Sequence, residues 1–261
     1  EAVLIGVLAG TFSGLTGVGG GAIMVPLLTG RIGLSQHRAH GTSLAIIMFV
    51  ATAGALPYWR TGNIDWRLAL ALLPGALVGV YVGARAMVKV PALQLRLLFG
   101  AFLFFVAFRQ LVWHLSAGAP AAGVEGLAID LAFGFAGGVL AGVLGVGGGA
   151  IFVPAIVILG LADAGGEDPQ KIAQGVSLVV IVATGALGTA TNLRQGTVDF
   201  AAARSIAPAA VVAALLAALA ANRVDAEVLK RIYGVTALLL GIETMYTSWR
   251  MTRAKRMKQG A

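Results

Sequence analysis

One decapeptide occurs twice in this chain, as GVGGGAIMVP at residues 17–26 and as GVGGGAIFVP at residues 145–154. Nine of its ten positions are identical, and each copy interrupts a long apolar stretch. A cluster of glycines breaks a helix and exposes backbone amides. Two such breaks in corresponding halves of a membrane protein are typical of a site between the halves. The motif therefore predicts two related halves with a functional centre between them.

The composition indicates a protein of the lipid bilayer. Of the 261 residues, 58% are hydrophobic and only 11% are charged, which is too little polar surface for a soluble globule. The longer apolar segments contain the roughly 17 to 25 residues of a spanning helix, and the shorter ones become spans if flanking charges snorkel. The eight segments are 2–30, 39–59, 68–84, 97–108, 131–162, 172–193, 205–222 and 232–242. We expect an all-α polytopic membrane protein.

The basic residues favour a membrane anchor over a nucleic-acid surface. The net charge is +8, but these residues lie mainly in short connections and in a tail after the last apolar segment. By the positive-inside rule, the tail places the C-terminus in the cytoplasm of a multi-pass inner-membrane protein. We expect the bilayer and no nucleic acid as partners. The tail residues are Arg250, Arg253, Lys255, Arg256 and Lys258.

The duplication divides the chain into two halves of four apolar segments each. Matching residues are 128 positions apart around the glycine motif and 134 apart after it. At the second offset, GTSL at 41–44 matches GVSL at 175–178, and RTGNID at 60–65 matches RQGTVD at 194–199. The expected organisation is a first repeat over 1–115, a linker over 116–126, a second repeat over 127–249 and a basic cytoplasmic tail over 250–261.

The orientation of the repeats depends on the first segment of each half. If that segment crosses the membrane, the repeats are parallel, whereas a re-entrant hairpin at the glycine break makes them inverted. With the tail inside, the re-entrant arrangement puts twelve Lys and Arg residues inside and seven outside, whereas straight spans give ten and nine. The stronger asymmetry favours re-entrant, inverted, pseudo-symmetric repeats.

The glycine motifs are the main candidate for a binding site. A half-helix that begins near Gly20 or Gly148 points its unpaired N–H groups and positive dipole end at the protein centre, which suits a small oxyanion. The alternative is close helix packing through small residues. The candidate ligands by backbone are Gly17, Gly19, Gly20, Gly21, Gly145, Gly147, Gly148 and Gly149.

Hydroxyl groups near the breaks could complete the hydrogen bonds to an anion. Ser43 and Ser177 lie near the start of the second segment of each half. Thr42 lies beside Ser43 and has no hydroxyl counterpart in the second half, and the same is true of Thr16 and Ser13. Bonding of a hydroxyl to its own helix is the alternative for the two matching serines.

A gating or coupling role is open to six further residues. His40 could carry a proton, and Gln174 is its counterpart. Ionisable groups deep in apolar sequence are costly, so Arg109 and Glu243 are candidates as well, although both could lie near an interface. Arg60 and Arg194 precede an Asp by five residues, which favours a structural Arg–Asp pair, with guidance of anions as the alternative.

The sequence does not resemble that of an enzyme. The glycine run lacks the Gly-Lys-Ser/Thr ending of a P-loop, and no nucleophile–base set or paired carboxylates occur at credible spacing. The chain has no Cys, and its three His residues lack metal-ligand spacing, so we expect neither a metal nor a cofactor.

With these motifs in view, the chain resembles the sulfite exporter TauE/SafE family of bacterial membrane transporters. The resemblance rests on the duplicated glycine break, the Gly-Thr-Ser-Leu opening and the Arg-x-Gly-x-Ile/Val-Asp turns, and it covers essentially the whole chain. It implies a secondary transporter that exports sulfite or an organosulfonate such as sulfoacetate across the cytoplasmic membrane. The open alternatives are an anion channel and a transporter of another small carboxylate or inorganic anion. Proton coupling and a homodimer are further expectations.

Overall fold

A computed structural model describes residues 1–86, 100, 104, 107–108, 123–160, 168–225, 227–236, 238–239, 241–242 and 245–246. This part of the chain is helical and contains no strand, which confirms the all-α part of the expected fold class. The main helices are α1 (Ala2–Thr16), α2 (Gly21–Gly30), α3 (Gln36–Arg60), α4 (Trp66–Ala86), α5 (Gly123–Leu144), α6 (Gly149–Leu159), α7 (Pro169–Arg194) and α8 (Phe200–Arg223).

Five of these helices, α3, α4, α5, α7 and α8, are long and apolar enough to cross a membrane. The first apolar segment of each half forms two helices instead of one, because the chain breaks at the glycine motif. Helix α5 already begins at Gly123, inside the expected linker. The segments 97–108 and 232–242 are described only in part, and the basic tail lies outside the described residues.

Helices α3 and α7 form the centre of the molecule and run antiparallel. In the most apolar 18-residue stretch of each helix, 72% of α3 and 67% of α7 is buried, against 33% of α8. Helix α8 therefore leaves large apolar side chains on its outer face. Gly41 near the start of α3 packs on Thr197 in the turn after α7, and Gly175 near the start of α7 packs on Asn63 in the turn after α3. The start of each central helix therefore lies beside the end of the other.

The first helix of each half packs on a long helix of the other half. Gly6, Gly10 and Gly14 of α1 lie against the backbone of α8 near Ile206, Ala210 and Ala214, so closely that any Cβ would collide with a carbonyl oxygen. Helix α5 packs on α4 in the same way. The matching contacts are Gly134 with Leu72, Gly138 with Ala76 and Gly142 with Val80. We call α1–α8 and α4–α5 the exchanged helix pairs, because each contains one helix from each half. Their small residues allow the two backbones to come into contact.

The two Arg-x-Gly-x-Ile/Val-Asp turns end the central helices and start the next ones. Asp65 accepts a hydrogen bond from the Leu68 amide, and Asp199 caps α8 through the Ala202 amide, as is usual for Asp at an N-cap. The other carboxylate oxygen of Asp199 lies 2.9 Å from Nη2 of Arg38. The expected pair of Asp199 with Arg194 is therefore wrong, since the antiparallel packing brings Arg38 of α3 to this turn.

Candidate functional site

The two glycine breaks have the same backbone geometry. Helix α1 ends at Thr16 with Gly17 as its C-cap, which has a φ of 71°, and α2 begins after its N-cap Gly20, which has a φ of 70°. In the second half, α5 ends at Leu144, and Gly145 and the N-cap Gly148 have φ values of 67° and 81°. Positive φ is accessible to glycine at little cost, which explains why the break needs this residue.

The chain turns back on itself within each break. A Cβ at Gly20 would lie 2.5 Å from the carbonyl oxygen of Ala9, which belongs to the middle of α1. Residue Gly14 of α1 is level with Ala214, and α8 continues from there to Arg223. The break therefore lies partway along α8, not at its end.

The two breaks contact each other at the centre of the molecule. A Cβ at Gly149 would lie 2.6 Å from the carbonyl oxygen of Gly17, and one at Gly21 would overlap the carbonyl of Gly145. Both breaks are buried. Backbone from the two halves thus meets in a region that is shielded from solvent.

One serine links each break to the central helix of the opposite half. The Ser43 hydroxyl of α3 donates to the carbonyl of Gly145 at 3.1 Å, and the Ser177 hydroxyl of α7 donates to the carbonyl of Gly17 at 2.8 Å. Neither hydroxyl bonds to its own helix, which was the alternative expectation. In this conformation the single proton of each hydroxyl is used to hold a break.

Side chains also satisfy other carbonyl groups at the end of α1. Gln174 Nε2 donates to the carbonyl of Leu15 at 3.0 Å. The Tyr58 hydroxyl lies 3.1 Å from the carbonyl oxygen of Gly14 and 2.8 Å from Oε1 of Gln174. Together with Ser177, these groups supply donors to a helix end that has no partners of its own.

The first N–H groups at the N-termini of α2 and α6, in contrast, have no hydrogen-bond partners in the described part of the chain. At the start of α2, the amides of Ile23 and Met24 bond to the Gly20 carbonyl. Among the described residues, the four preceding N–H groups, those of residues 19–22, form no hydrogen bond. The same holds for residues 147–150 before α6. Buried amides almost always have a partner, so each break presents a small set of donors for a ligand.

Two of the predicted hydroxyl donors have structural contacts. Thr16 bonds to the Phe12 carbonyl at 2.7 Å, and its oxygen lies 3.4 Å from the amide of Val18. Thr42 accepts a hydrogen bond from the Asp199 amide at 2.9 Å, so it faces the turn after α7. Thr42 thus supports the packing of α3 on this turn.

The predicted gate and coupling residues lie in different places. His40 is 4% exposed and lies against the second break, where a Cβ at Gly145 would be 2.6 Å from its Nδ1. Its counterpart Gln174 lies against Gly17 of the first break. Arg60 and Arg194 are exposed, and neither forms an ion pair with a described residue. Arg109 and Glu243 lie outside the described residues.

Sequence reasoning missed two isoleucines at the centre. Ile47 of α3 and Ile181 of α7 both lie within 3.3 Å of where Cβ atoms would stand at Gly19 and Gly147. Both side chains are fully buried. They are 134 residues apart, so the repeat offset could have identified them as a pair. Among the described residues, no group of His, Asp or Glu side chains could hold a metal ion.

Comparison with known proteins places these features in a family. The pattern described as "Sulfite exporter TauE/SafE" matches residues 2–164 and again residues 129–261. The chain is 25% identical to "Probable membrane transporter protein YunE" of Bacillus subtilis, over 94% of this chain and 96% of the relative. It is 26% identical to "Probable membrane transporter protein YdhB" of the same organism, over 94% and 99%. A third relative, "Probable membrane transporter protein MJ0441" of Methanocaldococcus jannaschii, is 27% identical over 75% and 72%. No solved structure matches the chain.

Proposed function

Because this chain belongs to the sulfite exporter TauE/SafE family, we propose that it is a secondary transporter that exports a small sulfur-containing anion. The substrate is sulfite or an organosulfonate such as sulfoacetate. It binds at the two glycine breaks and crosses the bacterial inner membrane by alternating access. The family assignment supplies the class of protein, and the free amides at the breaks support a negatively charged substrate.

The observation that carries this proposal is the contrast between the two sides of the first break. Carbonyl groups at the end of α1 have donors from Tyr58, Gln174 and Ser177. The buried amides at the start of α2 form no hydrogen bond with a described residue. A helix N-terminus combines free N–H groups with a positive dipole end, which stabilises an anion without a charged side chain.

The packing of α3 and α7 supports inverted repeats. The ion pair of Arg38 with Asp199 brings the chain before α3 and the chain after α7 to the same end of the molecule. On that arrangement α1 and α2 form a re-entrant hairpin, with Gly20 folded back beside Ala9. Inverted repeats with broken helices at the midplane are a common architecture of secondary transporters.

The surroundings of the breaks support alternating access. Ile47 and Ile181 lie on both breaks, so movement of one half against the other would cover or uncover the amides. Arg60 and Arg194 end α3 and α7, which run in opposite directions, and so lie at opposite ends of the molecule. At these positions they would attract anions to either mouth of the transport path.

The proposal is tested by binding and flux measurements on the purified chain. Sulfite, sulfoacetate, taurine, sulfate, thiosulfate, lactate and phosphate are compared by thermal shift, because a ligand that prefers the folded state raises its apparent stability. We expect selective stabilisation by sulfite or sulfoacetate, followed by saturable flux of that anion in liposomes. Binding of none of these anions would refute the proposal, and single-channel currents would favour an anion channel instead.

A further inference from the structure

The two glycine breaks differ in what covers the start of the second short helix. At the second break, a Cβ at Gly148 would lie 2.7 Å from Cε2 of Phe152. The ring fits there because residue 137 is glycine, and any Cβ at Gly137 would collide with the ring. The aromatic ring of Phe152 therefore fills the space beside the N-terminus of α6.

The first break has no aromatic ring at this place. Met24 occupies the position that corresponds to Phe152, and Ala9 occupies the position that corresponds to Gly137. A Cβ at Gly20 would have Ser13 as its nearest side chain, with the Ser13 Cβ 3.5 Å away. In the second half, the residue that corresponds to Ser13 is Ala141, which has no hydroxyl.

The Ser13 side chain is polar, buried and unsatisfied. It is 0% exposed, and within the described part of the chain its hydroxyl has no hydrogen-bond partner. A helical serine usually bonds back to a carbonyl of the preceding turn, and an unpaired buried hydroxyl is costly. Its position beside the N-cap of α2 adds one donor to the free amides of Gly21 and Ala22.

We propose that the transported anion binds on one side only, at the first break, and that Ser13 is the side-chain donor that recognises it. One oxygen of a sulfite or sulfonate group accepts from the Ser13 hydroxyl, while another accepts from the amides at the start of α2. Phe152 keeps the start of α6 closed to the anion. This inference rests on the proposed function and narrows its binding site from both breaks to the first break.

The test compares equivalent changes in the two halves. Ser13→Ala gives the first break the residue of the second, and Ala141→Ser is the reciprocal control. Sulfite affinity of the purified full chain is measured by calorimetry. We expect Ser13→Ala to raise the Kd about ten-fold, since a hydrogen bond to a charged group is lost, and Ala141→Ser to leave it within two-fold.

A third variant and the unliganded protein complete the test. We expect Phe152→Met to leave the Kd unchanged. Without ligand, we expect Ser13→Ala to melt at or above the wild-type temperature, because its hydroxyl has no partner to lose and its burial without one is costly. An unchanged Kd in Ser13→Ala, or a ten-fold rise in Phe152→Met, would overturn the one-sided site while the proposed function stands. A fall in the unliganded melting temperature of Ser13→Ala would also overturn it, because the hydroxyl would then be structural. If wild-type protein binds none of the anions tested, the proposed function itself fails.

Discussion

Single side chains hold the two glycine breaks in place. Ser43 and Ser177 each use their hydroxyl on a carbonyl of the opposite half, and Tyr58 and Gln174 act on the end of α1. These bonds fix where the chain stops being helical. The amides that follow are then presented at a defined position, which is what recognition of a small ligand requires.

The serine on the first break should contribute measurably to stability. Ser177→Ala leaves the buried carbonyl of Gly17 without its donor, which costs about 1–3 kcal/mol. We expect a lower melting temperature of the detergent-purified protein. Thr52→Ala is the control, because the exposed Thr52 hydroxyl bonds only to a carbonyl of its own helix. Equal melting temperatures for the two variants would show that the cross-link to the break is not stabilising.

His40 is the residue at which proton coupling can be tested. The corresponding residue of the second half is Gln174, so His40→Gln replaces a titratable group with one that the fold already accepts at the related position. We expect the variant to exchange labelled anion across the liposome membrane but to lose the accumulation of anion that a pH gradient drives. Gradient-driven accumulation at the wild-type rate would exclude His40 as the proton carrier.

Among the elements, the two exchanged helix pairs depend most strictly on small residues. Helix α1 approaches α8 at three glycines spaced four apart, which places them on one face of the helix. Helix α5 approaches α4 in the same manner. In lipid there is no hydrophobic force between helices, so close packing of this kind supplies much of the association energy.

A methyl group on this face should disrupt the α1–α8 pair. In Gly10→Ala the new Cβ collides with the backbone of Ala210, and overpacking of this kind costs about 1–3 kcal/mol or more. We expect a clear fall in melting temperature. Gly30→Ala in α2 is the matched control, because nothing lies within 4 Å of its Cβ position. A variant Gly10→Ala as stable as Gly30→Ala would contradict the close packing.

Local features of these elements were predictable from the sequence, whereas their contacts were not. The glycine motif predicts the breaks at Gly17–Gly20 and Gly145–Gly148, because a cluster of glycines interrupts a helix. The Asp at each turn predicts a helix cap. The pairing of Arg38 with Asp199 was not predictable, since the two residues are 161 positions apart and meet only through tertiary packing. The hydrogen bond from Ser43 to the Gly145 carbonyl was not predictable for the same reason. The sequence led us to expect this hydroxyl to bind an anion or a carbonyl of its own helix.

In the whole molecule, the antiparallel central helices determine which turns share a side. Thr197 lies beside the start of α3 and Asn63 beside the start of α7. The turns after α3 and after α7 therefore belong to opposite ends of the molecule, although they are equivalent in sequence. The repeat alone left parallel and inverted halves open, because charge counts separated them only weakly.

The orientation of the halves can be measured with single cysteines. The chain has no native Cys, so Arg60→Cys and Arg194→Cys each introduce one exposed reporter at equivalent turns. We expect an impermeant thiol reagent to label them from opposite sides of the membrane. His37→Cys, at the other end of α3 from Arg60, is the internal control and must be labelled from the side opposite to Arg60. Labelling of Arg60→Cys and Arg194→Cys from one side would indicate parallel halves.

The exchange of helices between the halves also constrains how the chain is made. Helix α1 leaves the ribosome more than 180 residues before α8, the helix that its glycine face requires. Helix α5, in contrast, finds α4 already synthesised. We therefore expect insertion to proceed with α1 undocked and its glycine face against lipid or an insertion factor. Assembly then closes only when α8 arrives, so a chain that stops before residue 200 has no partner for its own beginning.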